Sequence, residues 1–275
     1  MGVYIASLNS GSNGNCYYVG NETAAVLIDA GISCREIEIR MKKCGLDIQL
    51  VKAIFISHEH SDHIKGVSVF ANKYKVPVYI TPSTAKNGPK LIKHLSKPFY
   101  AHQPIQIESL LVIPFSKEHD AADPHSFVVS DNGINIAVIT DIGVVCNHVR
   151  HYFQQCHAAF LESNYDETLL ETGRYSQILK DRIRGGKGHI SNKEAGKLLD
   201  EYSAPHLSLV LLSHLSAENN SPELALQSFA NHTNRMQIAV ASRYQATEVF
   251  KIGSAVQLNV KPIPTNSSGT QLGLF

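Results

Sequence analysis

The sequence predicts an α/β protein built of layered sheets and helices. Short β-rich runs dominate the first half, strands and helical stretches alternate after residue 140, and no linker or low-complexity insert interrupts them before Pro262. Strand runs interspersed with helices pack as layers around shared cores. With 275 residues and 43% hydrophobic content, the chain can bury such a core without staples.

The elements follow in order. Val3 to Leu8 alternates as a first strand, and Asn9 to Asn15 is rich in turn formers. Cys16 to Val19 and Ala24 to Ile28 read as two further strands around a turn at Gly20-Asn21-Glu22. Asp29-Ala30-Gly31 ends the third. Ser33 with Glu36 reads as a capping box opening a helix that Gly45 stops. Val51 to Ile56 is a buried-type strand, Ile64 to Tyr74 has helical periodicity, and Val78 to Ile80 is a short strand. Four β-rich runs lie between Ile105 and Ile139. Further apolar runs at Ala158–Leu161, Leu207–Leu212 and Ile238–Ala241 alternate with helical stretches. We expect one domain over residues 1–261 and a flexible tail over 262–275, where Pro, Asn, Ser, Thr and Gly dominate.

Five cysteines, odd in number and without a C-x-x-C pair, fit a reducing compartment better than a disulfide framework. No secretory leader and no apolar run of membrane-spanning length is read, so a cytoplasmic location without membrane association is expected. The formal net charge of +1 neither demands nor excludes a nucleic-acid partner. The 14 histidines are the anomaly and point to metal chemistry.

The strongest local pattern is Ser57-His58-Glu59-His60-Ser61-Asp62-His63, directly after a strand. In an extended segment His58 and His60 present their imidazoles on one side, ready to share a metal. Asp62 and His63, at the bend that follows, can reach a second. Imidazole and carboxylate ligands suit zinc, manganese or iron, and no thiolate favours zinc in particular.

His-x-His-x-Asp-His resembles the metal-binding motif of the metallo-β-lactamase superfamily. Other parts of that pattern appear in order, each beyond an apolar strand: Ser116-Lys117-Glu118-His119-Asp120, Val138 to Gly143 with Asp141, and Leu211 to Ser216 with His214. The resemblance implies a four-layer αβ/βα sandwich with two divalent metal ions, zinc or manganese with iron also compatible, at the strand ends. It implies that His58, His60 and His119 hold one metal, that Asp62, His63 and His214 hold the other, and that Asp141 bridges. Such a pair activates a water between the two cations and clamps the attacked centre. Asp62 is accordingly expected to be needed for catalysis.

The superfamily scaffold also hosts lactam and thioester hydrolysis, so other stretches must choose. Gly188-His189-Ile190-Ser191 resembles a segment of its phosphodiesterase branches, which implies that His189 meets the scissile phosphate and assists the leaving oxygen. Ser191 with Glu194 is a capping box that sets His189 beside a helix N-terminus, where an anion is welcome. The Ser10 to Cys16 loop, Asp29 to Gly31, Ser57 to Gly66 and Leu161 to Asp166 together resemble the bacterial YycJ/WalJ exonuclease group. Ser12, Asn13 and Asn15 in the first loop, with Lys187 and Ser191, are expected to contact substrate. Arg174, Lys180, Arg182, Arg184 and Lys187, opposed only by Asp181, could track a phosphate backbone or form a solvated face. Lys86, Lys90, Lys93 and Lys97, at near-helical spacing, have the same two readings.

The reading is thus a dimetal phosphodiester hydrolase acting on nucleic acid, foremost a DNA exonuclease with a place in DNA repair. Room is lacking for the long arm or inserted domain of the RNA-processing relatives. A small-molecule, cyclic-nucleotide-type phosphodiesterase is the alternative enzyme, and a non-catalytic metal-binding scaffold the alternative of another class. The tail ends Gln271-Leu272-Gly273-Leu274-Phe275, which resembles the short peptide that docks bacterial repair proteins on the sliding clamp. Gln271 would bond at a pocket rim, with Leu272, Leu274 and Phe275 as apolar anchors.

Overall fold

In a computed structural model, which describes residues 2–90 and 94–253, period-two alternation sets the layers. Within β10 (Ile134–Ile139), Ile134, Ile136 and Val138 face one core while Ala137 and Ile139 face another. Within β4 (Val51–Phe55), Ala53 and Phe55 face that first core and Ile54 a third. Both strands meet a core on each face, so their sequences read as mainly apolar runs, broken only by Lys52 and Asn135.

Among the described residues the strands form two seven-stranded sheets. The first has the order β14-β1-β2-β3-β4-β5-β6, with β1 Gly2–Asn9, β2 Cys16–Gly20, β3 Ala25–Ile28, β5 Val78–Ile80, β6 Ser96–Pro98 and β14 Phe250–Gly253. The second has the order β13-β12-β11-β10-β9-β8-β7, with β7 Ile105–Ile107, β8 Leu110–Ser116, β9 His125–Asp131, β11 Ala158–Glu162, β12 Leu209–Ser213 and β13 Gln237–Val240. The sheets face each other across a core joined by contacts such as Tyr17 to Phe160, ring centroids 4.9 Å apart.

Helices cover the outer faces and complete four layers. Ile37 and Met41 of α1 (Cys34–Lys43) and Phe70 and Ala71 of α3 (Val67–Tyr74) pack on the first sheet. Val149, Tyr152 and Phe153 of α5 (Asn147–Phe153), Leu198 and Leu199 of α8 (Asn192–Tyr202) and Ala225 of α9 (Pro222–Ser228) pack on the second. The short helices α2 (Ser61–Ile64), α4 (Pro82–Asn87), α6 (Glu167–Thr172) and α7 (Gln177–Arg184) lie in the connections. The sandwich expected from the sequence is the fold observed.

Local expectations meet mixed outcomes. Ser33 accepts the Glu36 N–H as expected, but the Glu36 carboxylate turns to Arg40, so only half of that capping box forms. Ser191 and Glu194 form both halves. Gly45, at φ +69°, ends α1 as expected, and the Leu46 N–H returns to the Met41 carbonyl. The second basic stretch is not one helix face: Lys86 is on α4 and Lys97 on β6, while Lys93 lies outside the described residues. So do the 261/262 boundary and the whole tail, including Gln271, Leu272, Leu274 and Phe275. No helix among the described residues is long and apolar enough to cross a membrane.

Candidate metal centre

The parallel strands β3 to β6 and β10 to β13 point their C-terminal ends towards one edge of the sandwich. The histidine cluster follows β4, His119 follows β8, Asp141 follows β10, Glu162 ends β11 and His214 follows β12. Side chains scattered over more than 150 positions therefore meet. Ligand atoms of His58, His60 and His119 lie within 4.8 Å of one another, as do those of Asp62, His63 and His214. Asp141 joins His58 and His63 in one such group and Glu162, His189 and His214 in another.

The backbone at these corners is unusual. Asp29, Asp141 and His214 adopt left-handed conformations, φ +61°, +55° and +57°. Outside glycine this conformation is costly and concentrates at functional sites. Here it turns each chain sharply off its strand and swings the side chain inward. The Asp62 carbonyl accepts the Asn15 N–H at 2.7 Å and the His63 carbonyl accepts the Ala30 N–H at 2.9 Å. Gly31 packs so closely that a Cβ there would lie 1.6 Å from the Asp62 carbonyl oxygen.

Outer partners fix the ring orientations. Asp29 accepts from His63 Nδ1 at 2.7 Å and from the Ser57 N–H and hydroxyl at 2.8 and 2.7 Å. With its own proton committed to Asp29, the Ser57 hydroxyl accepts from His58 Nδ1 at 2.9 Å. The Gly188 carbonyl accepts from His119 Nδ1 at 2.9 Å. Each bond leaves Nε2 directed inward, as ligating imidazoles require. The Asp141 Oδ2 and His214 Nε2 atoms are buried without a hydrogen-bond partner.

Electrostatics favour a cation. Burial pushes His63 and His214 towards neutrality, yet the surrounding carboxylates outweigh it. Asp141 and Asp29 hold His63 up at about 10, while Asp141, Asp62 and Glu162 hold His214 well above its ordinary range. Burial lowers His58, and lowers His119 to about 4, which leaves both neutral and able to ligate. Burial also opposes ionisation of Asp141, but His214 and His63 prevail and hold it far below the usual carboxylate range. Clustered carboxylates and imidazoles, with Asp141 Oδ2 and His214 Nε2 buried and without a hydrogen-bond partner, together fit divalent metal ions.

His189 stands beside this cluster. Its Nδ1 is 2.7 Å from the fully buried Glu162, and its ring lies 5.2 Å from His214, nearly parallel, and 5.4 Å from His119. A cavity of about 210 Å³ opens against it, lined by Ser12, Asp120, Tyr175, Arg182 and Ser216 among others.

The expected substrate contacts divide. Ser12 lines that cavity. Asn15 is buried in the centre, its Nδ2 3.0 Å from His63 Nε2 and 3.2 Å from Asp62 Oδ2. Asn13 spends its amide on the Arg243 carbonyl at 2.7 Å. Lys187 is exposed, and its carbonyl accepts the Asp120 N–H. Ser191 is fully buried and caps α8, with its hydroxyl also donating to Glu167, so geometry gives it a structural task instead. The basic stretch is more neutralised than its sequence suggests. Arg182 pairs with Asp120, Arg184 with Glu171 and Asp181, and buried Lys180 bonds the Glu171 carbonyl.

Sequence reasoning overlooked Asp29, Ser57 and Glu162 as members of the centre, along with Lys117, whose buried ammonium donates to the Thr140 carbonyl at 2.6 Å. The available signal was a carboxylate placed directly after, or at the end of, a buried strand, as at Asp29 and Glu162.

A two-sheet sandwich with clustered His and Asp at its strand ends defines a class. The chain belongs to the metallo-beta-lactamase superfamily, whose family model matches residues 10–170. Members of that superfamily use divalent metals, and the clusters described could bind them. The chain is similar to exodeoxyribonuclease YycJ of Bacillus anthracis, 33% identical over 249 residues that cover 89% of this chain and 94% of that protein. It is also similar to exodeoxyribonuclease WalJ of Streptococcus pneumoniae, 30% identical over 254 residues, 87% and 91% of the two chains. In fold alone it matches the metallo-beta-lactamase fold protein YhfI of Bacillus subtilis (TM-score 0.69, 16% identity, 91% and 100% covered) and the short form of human tRNase Z (TM-score 0.64, 14% identity, 91% and 100% covered).

Proposed function

We propose that this protein is a divalent-metal-dependent DNA exonuclease of bacterial YycJ/WalJ type. The observation that carries the reading is His189, tied by Nδ1 to buried Glu162 and set beside the ligand cluster at the mouth of a cavity. The similarity to two exodeoxyribonucleases over most of each chain supports DNA as the substrate.

His58, His60 and His119 would hold one ion and Asp62, His63 and His214 the other, with Asp141 shared between them. Bound there, the ions supply Lewis acidity that makes water a nucleophile near neutral pH and offsets phosphate charge. The remaining work falls to the chain. Glu162 accepts the Nδ1 proton of His189 and would stabilise a doubly protonated ring, whose Nε2–H would face the leaving oxygen and give up its proton, returning the ring to its neutral Nδ1–H form. Asn15 and Asp29 hold the ligands in place. Five free cysteines suit a reducing, cytoplasmic setting. Docking of the Gln271–Phe275 peptide on a sliding clamp is a further part of the proposal, supported by sequence alone. An anisotropy titration showing no tail-dependent clamp affinity would remove it.

The test is hydrolysis of end-labelled single- and double-stranded DNA and RNA with Mn²⁺ or Zn²⁺, beside an Asp62→Ala control. Metal-dependent release of nucleotides from DNA, absent in the control, is expected. Turnover of bis-p-nitrophenyl phosphate without any nucleic-acid cleavage would replace the reading with a small-molecule phosphodiesterase.

A further inference from the structure

Beside the cavity at His189 lies a second, of about 370 Å³, and the two share Leu215 and Ser216. One wall of this second cavity is the turn Ser242-Arg243-Tyr244. The turn is anchored at three points. Arg40 Nη2 donates to the Tyr244 carbonyl at 3.2 Å, Asn13 Nδ2 to the Arg243 carbonyl at 2.7 Å, and the Ser10 N–H to the Ser242 carbonyl at 3.1 Å. On this fixed backbone the Tyr244 side chain stands 79% exposed. An aromatic ring in water forgoes the gain of burial.

Arg243 is half-buried, donates to Ser12 Oγ at 3.0 Å, and lies over Gly11, where a Cβ would come within 3.0 Å of its Nη2. Among the described residues no carboxylate pairs with it. The loop it rests on continues directly into the metal centre: Ser10 Oγ accepts the His214 N–H at 2.8 Å, and Asn15 touches His63 and Asp62. A cation without a carboxylate partner among the described residues and an exposed ring thus lie one loop from the cluster, along a cavity with an apolar wall at Pro222 and Val240.

We propose that Arg243 and Tyr244 bind single-stranded nucleic acid, the guanidinium taking a backbone phosphate near the scissile one and the ring stacking on an unpaired base. This rests on the nuclease reading above and adds the form of substrate. A base paired within a duplex has both faces covered by its neighbours, whereas an unpaired one can stack on a ring, and an arginine beside it tracks the backbone.

The experiment is steady-state degradation of a single-stranded oligonucleotide by the full chain at several salt concentrations, with metal content and melting temperature recorded for every variant. Tyr244→Ala should raise KM about tenfold, within a range of about five- to a hundredfold for a lost stacking contact, with the loss on KM rather than kcat. Tyr244→Phe, which keeps the ring, should retain the wild-type KM. Arg243→Gln should raise KM and reduce the dependence of log KM on log salt by about 0.7, one phosphate contact on a single strand. If the wild type degrades DNA but Tyr244→Ala and Arg243→Gln leave KM within about twofold, the strand site is overturned and the nuclease reading stands. If the wild type turns over bis-p-nitrophenyl phosphate but neither binds nor degrades any oligonucleotide, both fall.

Discussion

Glu162 Oε1 lies 2.7 Å from Nδ1 of His189 and 3.5 Å from Nδ1 of His214, so one buried carboxylate orients two imidazoles of the centre. Burial opposes its ionisation, but His189 and then His214 outweigh that and keep it anionic. Glu162→Gln keeps the shape and removes the charge. Hydrolysis of DNA should fall about 10–100-fold, the usual loss for an outer partner of a metal-site imidazole. Rates of wild type and variant, at matched metal content, check this; equal rates would remove Glu162 from the working centre.

Asp29 plays the corresponding part for His63, accepting from Nδ1 at 2.7 Å while holding both Ser57 donors. Asp29→Asn should weaken metal affinity about 10–100-fold. Competition with a chromophoric chelator measures it. Complete chelation of the wild type should abolish hydrolysis and lower the melting temperature, because the anionic cluster then loses its counter-charge, and restoring the ion should reverse both.

Two glycines should behave oppositely. Gly31 has no room, since its Cβ would overlap the Asp62 carbonyl. Gly31→Ala should cost about 1–3 kcal/mol in stability and move the loop carrying Asp62 and His63, with metal binding lost alongside. Gly45 has open space but φ +69°. Gly45→Ala should cost only about 1 kcal/mol, with hydrolysis unchanged. Denaturant melts and metal content separate the two effects.

His102 predicts acid sensitivity away from the centre. Burial, with His148, His125 and His151 adding positive neighbours, holds it at about 4, against an ordinary 6.5. The folded state therefore prefers the neutral ring, and the unfolded chain binds the proton first as pH falls. Its contribution to stability is intact above about pH 6.5 and is lost as pH drops towards 4. His102→Asn should flatten the fall of melting temperature in that window. Asn tolerates the φ of +62° there and can bond the Tyr152 hydroxyl that His102 Nδ1 now meets at 2.9 Å. An unchanged slope would mean that other groups carry the acid response.

Much of this protein is legible without coordinates. Strands buried on both faces announce themselves as apolar runs, as at Ala53–Phe55 and Ala158–Leu161, because successive residues of such a strand meet opposite cores. The ligand-type residues directly beyond those runs are legible for the same local reason: chain that leaves a strand end reaches the sandwich edge. His58, His60, Asp62 and His63 are neighbours in sequence, and their convergence needs little else. What the sequence alone determined is therefore the layered class and the ligand-type candidates at strand ends. Only the tertiary structure decided which charges remain unpaired. Arg182 and Arg184 meet Asp120, Glu171 and Asp181, whereas the Arg243 guanidinium donates to Ser12 and meets no carboxylate among the described residues, and that depends on residues up to 231 positions apart. It likewise turned Ser191 into a helix cap and gave Asp29 and Glu162 their imidazole partners. A hydrogen bond is set by distances of a few tenths of an ångström between segments remote in sequence, and no local pattern encodes those distances.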